Sequence, residues 1–127
     1  MTDDNKAACA AMLDWLEKRH AAIMDCEKEA YAFMDAGDID AYRSKMREKA
    51  ENLSAIARDA EKMLAALPPE LGNGLADRLA AFAGGASNAL GLNSVFYMSA
   101  LLYPDIRKPG EPDNLTRCIT EFRANIE

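Results

Sequence analysis

Apolar side chains recur every three or four positions at Met12, Trp15/Leu16, Ala22/Ile23, Cys26, Ala30 and Phe33. That is the period of one helix face, and it predicts a first helix over about 3–36. Thr2 or Asp3 can cap its start, and Gly37 is a natural left-handed stop. Asp38 then caps a second helix over about 38–67, whose seam reads Ile39, Tyr42, Met46, Leu53, Ile56, Ala60, Met63 and Leu67. Steps alternating between three and four imply coiled-coil-like packing of one narrow face. Lys49 is the single interruption.

A turn at Gly37 makes these two helices an antiparallel hairpin. The implied register places Phe33 against Tyr42, Ile23 near Leu53 and Trp15 near Ala60. Lys49 falls beside Asp25 and Glu29, which could neutralise it.

Pro68-Pro69 ends the second helix and opens a third, because proline is tolerated in a first helical turn. This third segment runs over about 69–103 to Pro104. Its glycines each cost roughly 1 kcal/mol relative to alanine, so a break is expected near Gly84-Gly85. Residues 104–112 form a proline-bracketed loop, and Asp113 caps a short last helix over about 113–126. The expected fold is all-α: one domain, residues 1–127, arranged as an antiparallel four-helix bundle built on the long hairpin. Composition agrees. Ala, Leu, Met, Glu, Lys and Arg abound, Val95 is the only valine, and aromatics are 7% of the 127 residues.

Charge changes the picture in one place. The chain is 28% charged with a net charge of −6, yet the run from Leu79 to Pro104 contains no charged residue. Something must cover that run: the rest of the fold, a partner subunit or a lipid. Ser87, Asn88, Asn93, Ser94 and Ser99 dilute it too far for a good membrane span, and no Lys/Arg cluster flanks it. The simplest expectation is a central helix surrounded by the others. Ala83, Ser87 and Gly91, spaced four apart, would let a neighbouring helix approach closely, whether from this chain or from a twofold-related copy. Alternatively Asn88, Asn93, Ser94, Tyr97 and Tyr103 are the polar groups of a pocket in an apolar strip.

Catalytic constellations are absent from the sequence. His20 is the only histidine, so the formal ExxH at Glu17–His20 cannot supply the paired motifs of a di-iron bundle. A solvated helix-surface histidine is the plain reading. Glu48 and Glu51 have the ExxE spacing of all-α nucleotide pyrophosphatases, but no later ExxD follows, and Lys and Arg alternate with them as on a solvated face. DAGDID at 35–40 lacks the order of a calcium loop. No Walker A, GxGxxG or GxSxG occurs, so no cofactor or metal is expected. No basic stripe offers a nucleic-acid surface.

Cys9, Cys26 and Cys118 read as reduced thiols, since Cys9 and Cys26 would lie about 25 Å apart on one helix. With an acidic N-terminus lacking a secretory pattern, they suggest a soluble, cytoplasmic protein. The functional expectation is a non-catalytic interaction protein, an adaptor, assembly chaperone or structural module, that forms a homodimer or meets a protein partner through 79–103. The alternative is a small apolar-ligand-binding or sensory bundle with a pocket lined by residues 88–103. Candidate interface or ligand residues are Ser87, Asn88, Gly91, Asn93, Ser94, Tyr97 and Tyr103.

Overall fold

A computed structural model of the chain describes residues 1–104 and 110–127. The described residues are all-α, and no strand occurs among them. The helices are α1 (Asp3–Asp35), α2 (Ile39–Ser54), α3 (Ile56–Asp59), α4 (Glu61–Ala65), α5 (Pro69–Gly91), α6 (Val95–Ala100) and α7 (Asn114–Ile126). Residues 105–109 of the expected proline-bracketed loop lie outside the described residues.

Local chemistry sets most of these boundaries. Thr2 accepts a hydrogen bond from the Asn5 amide and Asp38 from the Ala41 amide, each satisfying a helix-start donor. At the end of α1 the Gly37 amide bonds to Met34 O and the Asp38 amide to Phe33 O. Gly37 has φ +80°. This is a Schellman stop, which a residue without a Cβ adopts at little steric cost.

The second predicted helix is a single rod in three segments. At Ala55 and Ala60 the backbone stays in the right-handed helical region. Bonds from Asp59 N to Ala55 O and from Leu64 N to Ala60 O carry it through the joints.

The expected break at Gly84-Gly85 does not occur; α5 runs through both glycines. Leu79, Ala86 and Ala89 are buried on its inner side, and that packing outweighs the propensity cost of the glycines. The break falls at Asn93 instead. The Asn93 amide bonds to Leu90 O and the Ser94 amide to Ala89 O, a second Schellman stop, with Asn93 at φ +50° in the glycine position. Asparagine is among the side chains that tolerate this conformation.

The long rods α1, α2–α4 and α5 pack side by side, α1 on α2 and α2–α4 on α5. The hairpin is antiparallel, and the cross-pairs Tyr31–Tyr42 and Glu29–Lys45 lie close to the expected register. Tyr31 meets Tyr42, with ring centroids 6.2 Å apart, and Phe33 is exposed. At the end remote from Gly37, α7 lies against both α1 and α5 and completes a core of Met12, Leu16, Ile23, Ile56, Leu79, Leu115 and Phe122. At the Gly37 end α6 lies on α2 and α5, closing a smaller core of Ala30, Met46, Ala50, Ala89 and Met98. No described helix is long and apolar enough to cross a membrane.

Candidate functional site

The uncharged run is not a central helix. α5 turns one side to the core, while Ala80, Ala81, Gly84, Gly85, Ser87, Asn88 and Gly91 are exposed on the other. Around the Asn93 corner, Leu92 is 59% exposed, Phe96 75% and Tyr97 53%. The fold therefore leaves much of its least polar segment in water. Tyr31, Phe33, Met34 and Ile39 are also exposed, at the tip of the hairpin. Of the eight large exposed apolar side chains described, all but Met1 sit at this end of the molecule.

The sequence-predicted residues separate into four groups. Ser87, Asn88, Gly91 and Tyr97 face solvent. The Tyr97 ring stands edge-on to Phe96, with centroids 5.7 Å apart. Ser94 caps α6 by accepting from the Tyr97 amide at 3.2 Å, so its hydroxyl has a structural task. Asn93 Oδ1 accepts from the Arg47 guanidinium. Tyr103 turns inward and donates to Glu27 Oε2.

Asn93 belongs to a cleft of about 550 Å³ between α2 and the α5–α6 corner, lined by Arg43, Ser44, Arg47, Asn93, Val95 and Met98. Asn88, Ser94, Tyr97 and Tyr103 are not part of that lining. Position along α2 alone hid the cleft-lining position of Arg47, because its MREK surroundings resemble an ordinary solvated face. Arg47 instead reaches a neutral amide on the facing corner.

Lys49 is fully buried, and the expected neutralisation by Asp25 and Glu29 is not what the structure shows. Its Nζ lies 2.7 Å from Glu27 Oε1, and it donates to the carbonyls of Ser99 at 3.1 Å and Leu101 at 3.0 Å. The Tyr103 ring lies 5.2 Å away. Asp25 is exposed, and Glu29 pairs with Lys45 at 2.8 Å. The reason is rotational: Glu27 follows Ile23 by four residues on the buried face of α1, and Asp25 does not. Burial pushes the Lys49 ammonium below its ordinary value, against the opposing pull of Glu27.

His20 is also not a solvated surface side chain. Its Nε2 lies 2.9 Å from Asp113 Oδ2 and 3.1 Å from Thr116 Oγ1, tying α1 to the start of α7. Asp113 accepts as well from the Leu115 and Thr116 amides and from the Thr116 hydroxyl. Burial alone would raise the Asp113 carboxyl. The bonds from His20 and Thr116 outweigh it and hold the group well below the usual carboxylate range. Asp, His and Thr here do not form a nucleophilic relay. Such a relay needs the acid and the hydroxyl on opposite ring nitrogens, and both meet Nε2.

Among the described residues no cluster of three or more His, Cys, Asp or Glu is placed to hold a metal ion. Comparison with protein-family models, curated proteins and solved structures gave no match.

Proposed function

We propose that this chain is a non-catalytic helical interaction protein that pairs with a second copy of itself through the outer face of α5 and α6. In this reading α1, α2–α4, α5 and α7 take the four positions of an antiparallel bundle, and α6 is the element that presents the contact. The observation carrying it is the bare, charge-free face that ends in Leu92, Phe96 and Tyr97.

Two considerations favour a second copy as the occupant. A chain of net charge −6 repels itself over most of its surface, but from residue 79 onward this face carries no charge, so pairing that keeps clear of Glu70 and Asp77 buries none. A twofold contact also brings the small-residue strip Gly84, Ser87 and Gly91 of one copy onto the same strip of the other, where it permits close helix approach. Exposed aromatic and leucine side chains then supply the desolvated centre such an interface needs.

Sedimentation equilibrium at micromolar concentration tests this reading, with a dimer as the expected result. Gly91→Leu and Ser87→Leu should yield monomers. A Cβ at Gly91 meets no atom within 4 Å and Ser87 is exposed, so neither change crowds the single chain. Phe96→Glu should do the same by placing a carboxylate in the contact. A wild-type protein that stays monomeric under these conditions overturns the proposal.

A further inference from the structure

The cleft between α2 and the α5–α6 corner has a chemical character that self-association does not use. Arg43 and Arg47 lie one helical turn apart on α2 and both line it. Each of the other five described arginines, Arg19, Arg58, Arg78, Arg117 and Arg123, is within 4 Å of a carboxylate. Arg43 and Arg47 form no such pair among the described residues, in a chain with 21 acidic side chains.

Like charges at this spacing oppose helix formation, an effect that an anion between them would reverse. Arg47 is further oriented by Asn93 Oδ1, and Asn93 itself is fixed by the Schellman stop that ends α5. Val95, half-buried, supplies an apolar wall, backed by the fully buried Met98. Two smaller clefts set a contrast. One holds Arg78 already paired with Glu121, and the other holds Arg123 already paired with Glu17. Of these three clefts, only the one at Asn93 is lined by arginines without a carboxylate partner among the described residues.

We propose that this cleft binds the oxyanion of a small ligand, a carboxylate or a phosphate, between the Arg43 and Arg47 guanidinium groups, with the apolar part of the ligand against Val95. Guanidinium forks match the planar oxygens of a carboxylate and the oxygens of a phosphate, and charge-assisted hydrogen bonds of this kind are the strong ones. Ser44 and the Asn93 amide add neutral hydrogen-bonding groups at the rim. The volume lies within the range of small-ligand sites, about 300–1,000 Å³.

The test is a titration followed by amide chemical shifts in the full chain, at constant ionic strength, with inorganic phosphate and separately with 3-phenylpropionate. Saturable shifts confined to the amides around Arg43, Arg47, Asn93 and Met98 are expected with at least one probe. The one that binds more tightly states whether the oxyanion is a phosphate or a carboxylate carrying an apolar group. Arg43→Gln/Arg47→Gln should weaken binding by about tenfold or more, with helix content unchanged. No saturable shift with either probe, shifts mapping elsewhere, or equal affinity in the double variant would each overturn the site. Gly91 does not line the cleft, so repeating the titration in Gly91→Leu separates this proposal from self-association.

Discussion

Lys49 and Glu27 form an ion pair at 2.7 Å, with the lysine wholly removed from solvent and the glutamate nearly so. The pair holds more than two helices. Through its bonds to the Ser99 and Leu101 carbonyls, Lys49 grips the chain immediately before Leu102, which sits at φ +75°. A leucine in that conformation stores roughly 1–2 kcal/mol of strain. Fixing the segment on both sides keeps α6 pressed on the small core and delivers the chain to α7, where Asn114 N bonds to Leu102 O at 2.8 Å.

Breaking this pair from one side should be costly. Glu27→Leu leaves an ammonium buried without its counter-charge, and Lys49→Met leaves a carboxylate with Tyr103. Each is expected to lose about 3–5 kcal/mol in urea unfolding. The double variant Glu27→Leu/Lys49→Met should recover most of that loss, because packed apolar groups often match a buried ion pair. If the three losses simply add, the pairing described above is wrong.

Acid should expose the contribution of Asp113. Its folded carboxyl is held below the ordinary value near 4, so between those two values the unfolded chain binds more protons. Stability from this group is therefore complete above about pH 5 and is lost as pH falls through the depressed folded value. Asp113→Asn retains a good helix cap but removes the charge. Its deficit relative to wild type, read from urea midpoints, should be about 1–3 kcal/mol at neutral pH and shrink towards pH 2. A deficit that does not change with pH would contradict the assignment.

Two glycines on one helix should respond oppositely to alanine. A Cβ at Gly84 meets nothing within 4 Å, so Gly84→Ala should stabilise the single chain by about 0.5–1 kcal/mol. At Gly72 the same atom would lie 3.0 Å from Leu64 O and 3.3 Å from the Leu67 Cβ. Gly72→Ala should lower the melting temperature, because α5 meets the end of α4 there with no room to spare. Thermal unfolding at the lowest workable concentration separates these effects from self-association.

All three cysteines are buried, and burial pushes each thiol above its ordinary value. A colorimetric thiol reagent at neutral pH should therefore leave the native protein almost unmodified and react with three groups on denaturation. Rapid reaction of one cysteine in the native state would show local opening at that position.

Periodicity and capping are local, and what depends on them was legible along the chain. The boundaries of α1 and α7, the Gly37 turn and the antiparallel hairpin all follow from residues within one or two turns of each other. The Asn93-Ser94 joint was equally local, an asparagine stop followed by a serine cap, but the paired glycines at 84–85 drew the expected break away from it. Their cost of about 1 kcal/mol each is an isolated-helix quantity, and burial on one side of α5 overrides it.

The sites depend on rotation about helix axes and on which distant segments meet. A spacing pattern states neither to better than a residue or two. A shift of two residues, from Asp25 to Glu27, decided the partner of Lys49. The meeting of α7 with α1 decided that His20 is an anchor, and the α5–α6 corner decided that Arg47 faces an amide across a cleft. The 79–104 run shows the division most clearly. Sequence by itself determined that this segment carries no charge. Only the tertiary structure decided that half of it stays in water, because α6 and α7 close the core and none of the described helices lies over the outer face of α5.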